Sequence, residues 1–282
     1  MRAPSSIPMV SIGMPVYNGE ADISAALDSL LTQTFENFEI IISDNASTDA
    51  TEKICQNYAS KDFRIRYIRQ KTNLGATKNF EIVLHEAVAK YFVWAACDDI
   101  RSPDFLSINL DFLENHPDFV ASTSPVRFEG DIFDERRMGD SGLTGDLAQR
   151  IKAMFGTVHA NGRFYSLIRR NALDECVGLK QQYLGSDWAI VLHLASLGKI
   201  NRSNSGWTIL GKNGLSGGRD IFRFYRRSIF DFIAPFNGLS KFTWKLAKNF
   251  NFFDKIILGF ALIFMNTKGF IGQFTILLRK AN

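Results

Sequence analysis

Residues 91–104 read YFVWAACDDIRSPD. The apolar run Tyr91–Cys97 has the length and content of a buried strand. It ends in two adjacent carboxylates, Asp98 and Asp99. Ser102-Pro103-Asp104 then opens a helix, with Pro at its first position. The same unit recurs along the chain. Met9–Met14 is a short apolar run stopped by Pro15, and Ile23, Ala26, Leu27, Leu30 and Leu31 follow at helical spacing. Phe38–Ser43 reads as a second strand. Ser47-Thr48-Asp49, with Glu52 three residues beyond Asp49, caps a helix reaching about Ser60. Ile65–Ile68 is a third strand, and Gly75 opens a helix through Ala89 with Phe80, Val83, Leu84 and Ala87 on one face. Phe119–Ser122 closes the series. Strands and helices alternating roughly every 26 residues predict βαβ units. The fold expected is α/β, a Rossmann-like, mainly parallel sheet flanked by helices.

Such sheets bind ligands beyond the carboxyl ends of their strands. The candidates are therefore Tyr17-Asn18-Glu20, Asp44-Asn45, Asn73 to Asn79, and Asp98-Asp99. Adjacent carboxylates repel, and each loses hydration when shielded. The doublet could be a helix-capping turn, but Ser102 and Pro103 already supply a cap and a first position. A hard divalent cation is the other reading: it takes one or two carboxylates and completes its shell with substrate phosphates. Asp44 suits either an Asx turn or a carboxylate facing a base or ribose. PVYN, residues 15–18, is a turn whose rigid Pro15 and stackable Tyr17 also suit a flat ring. Lys78, near a helix start whose backbone donors point outward, is either a solvent-facing lysine or an anion ligand.

With 282 residues, the chain suits one large domain or one domain plus an appendage. Its charge is unevenly spread. From Arg219 onward there are 11 Lys/Arg against 3 Asp/Glu, a net +8, which leaves −4 on the preceding residues. The same tail holds 13 of the 25 Phe. Three scattered Cys, with no CxxC, argue against a disulfide framework and for a reducing compartment. The first residues lack the apolar stretch of a signal peptide. The most apolar tail segment, Ile256–Met265, falls short of the ~20 residues that cross a bilayer.

After Arg127 the alternation breaks. Glu129–Gly145 is acidic and Gly-rich, a loop over the sheet edge. Phe164–Ile168 and Ser205–Leu210 read as strands, and Trp188–Leu197 as a helix closed by Gly198. Asp187 stands at the start of that helix, where a capping role is the plain alternative to chemistry.

PVYNGE, SDNASTDAT, NLGATKN, the Asp98-Asp99 pair and the later SDW resemble, in order and spacing, the family-2 glycosyltransferases with the GT-A fold. The resemblance covers residues 8–217. It implies inverting transfer of a sugar from a nucleotide-diphosphate donor, typically a UDP-sugar, with Mn²⁺ or Mg²⁺. By motif, Pro15, Val16, Tyr17 and Glu20 would line the nucleoside site and Asp44 would contact the base. Lys78 would lie near the diphosphate, Asp98 would meet ribose or metal, and Asp99 would hold the metal. Asp187 resembles the base that takes the proton of the acceptor hydroxyl, and an Asp of ordinary pKa is ionised at neutral pH. His159, Arg163 and Trp188 fall on the acceptor side. The late KNGLS segment, 212–216, resembles one that folds over donor phosphates. Two positions depart from the pattern: Cys97 follows Ala96 where a further Asp is common, and Lys78 replaces an Arg.

The implied organisation is a catalytic domain, 1–218, followed by a basic, Phe-rich helical tail, 219–282. A nucleotide half (about 8–126) and an acceptor half (about 127–218) divide the domain. The tail suits an amphipathic anchor on an anionic membrane surface, with Lys and Arg toward headgroups and Phe toward acyl chains. Its alternative is helices packed back on the domain. A nucleic-acid partner fits less well, because the apolar run lacks interleaved charge. The expected acceptor is a saccharide or a lipid-linked saccharide in cell-surface polysaccharide synthesis. The expected location is cytoplasmic, peripheral on the inner face of the membrane. A nucleotidyltransferase would want a Gly-rich basic loop after the first strand, which PVYNGE does not offer. A non-catalytic nucleotide-sugar or membrane-binding protein would keep Asp44 and Asp99 but need no Asp187.

Overall fold

The computed structural model describes residues 7–156, 159–176, 183–211 and 221–281. Strands β1 (Val10–Val16), β2 (Phe38–Asp44), β3 (Ile65–Arg69) and β4 (Tyr91–Trp94) alternate with helices α1 (Ile23–Leu31), α2 (Thr51–Lys61) and α3 (Ala76–His85). There follow β5 (Ile100–Arg101), α4 (Phe105–Asn115), β6 (Phe119–Thr123), β7 (Val126–Phe128), α5 (Glu135–Met138) and α6 (Leu147–Met154). Next come β8 (Leu167–Arg169), α7 (Ser186–Leu197), β9 (Lys199–Arg202) and β10 (Thr208–Leu210). The tail is helical: α8 (Ile221–Tyr225), α9 (Ile229–Ile233), α10 (Asn237–Leu246) and α11 (Phe252–Ala281). The main sheet has the order β3-β2-β1-β4-β8-β6-β9, and β5, β10 and β7 form a small second sheet. β1 to β4 are mutually parallel, while β8 runs antiparallel to both of its neighbours.

Both faces of the main sheet are covered, so its central strands are apolar without alternation. Along β2, Ile40 and Ile42 pack with Ile23 and Leu27 of α1 and Leu106 and Leu110 of α4. Ile41 faces the other way, with Phe92, Trp94, Val83 of α3 and the α6–α7 pair. This is the two-residue period of a strand read against two different cores. Gly13 of β1 lies under that second layer; a Cβ there would fall 2.7 Å from the Phe92 ring and 2.8 Å from Val83. Pro15 sits within β1, beyond the last β1–β4 pair, Gly13–Trp94, so β4 asks no ladder bond of it.

Several boundaries differ from the sequence reading. β4 stops at Trp94, because the chain turns at once, Asp99 N–H donating to the Ala96 carbonyl. Ser102 and Pro103 do not start α4. Ser102 instead bonds Trp207 through both its N–H and its hydroxyl, and Gln33 Oε1 receives the Leu106 N–H at the start of the helix, 2.9 Å away. Residues Gly162–Tyr165 form a 3₁₀ turn, and only then does β8 begin. β5, β7 and β9 were too short to show periodicity.

Part of the tail packs back on the domain, the alternative that its composition left open. Leu239, Ala247, Phe250, Leu258, Leu262 and Met265 share a hydrophobic core with α6 and α7. α11 is a single helix of 30 residues, not a ten-residue apolar segment. Asn266, Thr267 and Lys268 interrupt the apolar run but not the helix. Its stretch Phe252–Ile276 is long and apolar enough, by length and composition, to cross a membrane. The expected boundary at 218/219 and the 212–216 segment lie outside the described residues.

Candidate active site

The turns after β1, β2 and β4 meet. Asn45 N–H donates to the Val16 carbonyl at 2.9 Å, and the Asn18 side chain accepts the Thr48 N–H at 2.9 Å. Gly19 N–H donates to Thr51 Oγ1 at 2.8 Å, and Glu20 Oε2 accepts the Ala50 N–H at 2.8 Å. Gly19 in turn lies against Cys97, whose Sγ would be 3.0 Å from an added Cβ. The carboxyl edge of the sheet thus brings the PVYNGE, SDNASTD and CDD segments together. Tyr17 is exposed there, while Val16 is buried in β1.

Asp44 ends β2 fully buried. Oδ1 accepts the Ser47 N–H at 2.8 Å, the Asx turn that was one of its two readings. Oδ2 accepts from the Tyr67 hydroxyl and from Arg69 Nη1, both at 2.7 Å. Burial and then Asp44 push the Tyr67 phenol well above its ordinary range, so it stays a donor. Tyr67 and Arg69 escaped the sequence reading because β3 offered only its apolar pattern.

The NLGATKN loop is stapled by its asparagines. Asn79 donates to the Ser43 and Val16 carbonyls and accepts from Ser43 Oγ at 2.6 Å. Asn73 Oδ1 accepts from Asn45 Nδ2 and from the Gly75 N–H, both at 2.9 Å. Lys78 faces outward from the first turn of α3 and pairs with Glu81 at 2.9 Å.

Asp99 is 4% exposed. Its Oδ1 accepts the Gly211 N–H at 3.2 Å. Asp98 packs against the same glycine; a Cβ on Gly211 would fall 2.3 Å from Asp98 Oδ2. Burial first, then the neighbouring Asp98, push the Asp99 carboxyl up to about 7. Among the described residues the counter-charge acting on it is Arg101, itself buried, donating to the Trp94 carbonyl at 2.6 Å and lying 4.6 Å from the Phe105 ring centre. Cys97, where a further Asp is common, has its thiol pushed up to about 12 by burial, Asp98 and Asp99, and is neutral at pH 7. Among the described residues no group of three or more His, Cys, Asp or Glu could hold a metal by itself. The doublet nonetheless fits a cation completed by substrate oxygens, since an added positive charge offsets both the desolvation and the mutual repulsion of the pair.

Asp187 lies in the first turn of α7 and does not cap it; the N-cap is Gly185, at φ 86°. Its Oδ2 accepts from Asn161 Nδ2 at 2.8 Å. Burial raises its pKa above the ordinary value that the sequence reading assumed, and the Asn161 bond opposes that shift. Asn161 is buried in the left-handed region, φ 58°, at the start of the 3₁₀ turn. The Asn161-Gly162 pair signals a turn in sequence; nothing in sequence ties it to Asp187.

The other three acceptor-side residues form a scaffold. His159 stacks on Trp188, 4.1 Å between ring centres and 8° between planes. Its Nδ1 accepts the Asn161 N–H at 3.0 Å, so Nε2 carries the proton donated to the Met154 carbonyl. Burial and then Arg163 push its pKa down to about 4, leaving it neutral. Arg163 donates to the Ser141 carbonyl at 2.6 Å and to Ser141 Oγ at 3.2 Å. Trp188 is buried. His159 and Arg163 also line a cavity of about 420 Å³ with Glu135, Gly139 and Ser141. Their polar atoms, however, are turned to protein partners.

The half-buried Tyr165 has its phenol raised well above the usual range, by burial first and then by the charges of Asp99, Asp98 and Asp187. Tyr225 of α8 bonds the Ser186 side chain and lies in the field of Asp187.

The profile described as Glycosyl transferase family 2 matches residues 11–177, more than half of the chain. The chain belongs to glycosyltransferase family 2. EpsE of Bacillus subtilis is 34% identical over 127 residues, 44% of this chain and 46% of EpsE. The chain matches just under half the length of the first such curated relatives. Among solved structures, residues 1–349 of TarS from S. aureus, in complex with UDP-GlcNAc, align with TM-score 0.68 and 18% identity, covering 90% of this chain and 71% of that one. The mannosyltransferase PcManGT of Pyrobaculum calidifontis, in complex with GDP-Man and Mn²⁺, aligns with TM-score 0.58 and 16% identity, covering 98% and 80%. The family-2 chain therefore has the GT-A fold that its motifs implied.

Proposed function

We propose that this family-2 chain is an inverting glycosyltransferase. It moves a sugar from a nucleotide-diphosphate donor, a UDP-sugar by preference, to a hydroxyl of a saccharide or lipid-linked acceptor. The role is cell-surface polysaccharide synthesis, peripherally on the inner face of the membrane. The observation that carries the reading is the meeting of the PVYNGE, SDNASTD and CDD turns at the carboxyl edge of the sheet, with the buried Asp99 closed over by Gly211, in a chain that matches family 2 over residues 11–177.

In this reading Tyr17 offers its exposed ring to the base, and Asp44, Tyr67 and Arg69 frame the base edge. Lys78, which pairs with Glu81, is a cation for the diphosphate. Asp187 takes the proton of the acceptor hydroxyl as that oxygen bonds to the anomeric carbon. The bond from that carbon to the diphosphate breaks on the opposite side, which inverts the centre. Positioned base help of this kind is typically worth about 10²–10⁴-fold. Mn²⁺ or Mg²⁺ held by Asp99 and Asp98 would supply charge neutralisation for the departing diphosphate. Asn161 holds Asp187 in place, and the His159–Trp188 stack holds Asn161. TarS with UDP-GlcNAc and PcManGT with GDP-Man and Mn²⁺ support the donor class and the metal.

Two measurements test this. Asp187→Ala is expected to keep nucleotide binding and to lose turnover by at least about 100-fold; unchanged turnover rejects Asp187 as base. A thermal-shift panel of UDP-, dTDP- and GDP-sugars, with and without Mn²⁺, is expected to favour UDP. A donor at 100 times its dissociation constant stabilises by about 2.7 kcal/mol. If no nucleotide raises the melting temperature, the transferase reading fails.

A further inference from the structure

α11 has two faces. Leu258, Leu262, Met265, Gly269 and Gln273 recur at helical spacing and are buried on the protein. On the opposite face Phe260, Ile263, Phe264, Ile271 and Phe274 are exposed, and Phe252 and Phe253 are exposed at its start. A helix packed on a domain ordinarily turns charged and polar residues to water. Here the outward face is largely apolar too, interrupted by Thr267 and Lys268. The surface continues onto neighbouring helices. Trp244 of α10 is exposed and lies beside Gly259 of α11, 3.7 Å from where a Cβ would be. Ile229, Phe230 and Ile233 of α9 are exposed as well.

Basic residues border this surface. Lys241 and Lys245 of α10 are exposed together with Trp244, and so is Lys248 just beyond the helix. Lys268 lies 5.4 Å from the Phe264 ring centre. From Arg219 onward 11 Lys/Arg stand against 3 Asp/Glu, a net +8. An apolar face edged with ammonium groups and carrying a tryptophan is chemically complementary to an anionic lipid interface.

The inward face decides between lying on a bilayer and crossing it. Asn266 accepts the Phe236 N–H at 2.9 Å and donates to Ser240 Oγ at 3.1 Å. Gln273 donates to the Phe232 carbonyl at 2.9 Å, and Asp254 is paired with Lys152 of α6. Crossing would strip these polar groups from their partners and expose the core that Leu258, Leu262 and Met265 complete. It would also uncover α7, because Leu239 and Phe236 close over Gly185, at 3.0 and 3.4 Å from a Cβ built there.

We propose that the outer surface of α9–α11 is a docking plate that lies flat on an anionic bilayer, with α11 in the interface plane and not across it. Resting on the transferase reading above, the plate is fixed to α7, the helix that carries Asp187. Docking therefore holds the acceptor side of the enzyme at the lipid surface, which suits an acceptor with a lipid anchor.

The test uses the full chain and vesicles of phosphatidylcholine alone or with about 30 mol% phosphatidylglycerol. Co-sedimentation is expected with the anionic vesicles, weakened by salt as the Debye length shrinks. A basic residue near an anionic surface contributes about fivefold in binding, about 1 kcal/mol. The triple variant K241Q/K245Q/K248Q should thus lose affinity for anionic vesicles on the order of 100-fold. F260S/F264S should lose it on both vesicle types. Both variants alter exposed side chains, and both should keep the UDP thermal shift of the unaltered chain. Carboxypeptidase added outside the vesicles should remove Asn282 from bound protein. Protection of that end would mean that α11 spans, and would overturn the flat geometry. No preference for anionic vesicles, or light scattering showing that a second copy of the chain covers the plate, would overturn the docking site. In either case an intact UDP shift would leave the transferase reading standing, whereas vesicle binding without a UDP shift would do the reverse.

Discussion

Replacing Asp98 with Asn removes one charge of the doublet and keeps its shape. The Asp99 carboxyl is moved from 3.8 to about 7, by burial first and Asp98 second. Because this folded pKa lies above the unfolded one, the folded protein binds the proton more tightly. Its contribution is intact below about pH 4, declines between pH 4 and 7, and is fully lost above pH 7. At 1.36 kcal/mol per pH unit the loss integrates to about 4 kcal/mol in the absence of metal. Asp98 owns a fraction of that, on the order of 1–2 kcal/mol. Arg101 keeps Asp99 as partner in the variant, so no buried cation is stranded. D98N should therefore gain stability on the wild type as pH rises from 5 to 8, by a few degrees of melting temperature. Any cost of the substitution that does not depend on pH cancels in the slope. Mn²⁺ with UDP should raise the melting temperature of the wild type at pH 8 much more than that of D98N. Parallel curves from pH 5 to 8 would refute the electrostatic reasoning, and equal Mn²⁺–UDP responses would refute the doublet as the metal site.

Asn161→Ala removes the hydrogen bond that opposes the upward shift at Asp187; the acid limb of the kcat pH profile should move to higher pH, because the bond favours the ionised carboxylate. An unmoved profile would reduce Asn161 to a structural role. Tyr67→Phe takes one of three donors from the buried Asp44 and should lower stability by about 1–3 kcal/mol, read as the urea midpoint at unchanged slope. Gly185→Ala forces a Cβ into φ 86° and to 3.0 Å from Leu239; a loss of about 1–3 kcal/mol is expected in thermal unfolding, with the tail more open to protease.

The sequence alone determined the architecture of the first half. Apolar runs, helical spacing and charges at strand ends are local patterns, and a buried parallel sheet writes them without a break. The donor-side acids were legible for the same reason: a carboxylate just past a strand declares its position in any such sheet. The acceptor side was not legible. β5, β7 and β9 are too short to carry a period, and Asn161 and Asp187 lie 26 residues apart, joined only by a hydrogen bond. Lys78 was legible as a cation at a helix start; only tertiary structure shows that Asn73 and Asn79 hold that loop while Lys78 faces outward beside Glu81. His159, Arg163 and Trp188 read as acceptor-facing and became a scaffold, because partners from α6 and Ser141 use their polar atoms and faces. In the tail, composition announced an apolar and basic segment but not its two sides. Only packing against α6 and α7 decided which side chains are spent on the protein and which remain exposed, since burial is a property of neighbours that the chain brings together at long range.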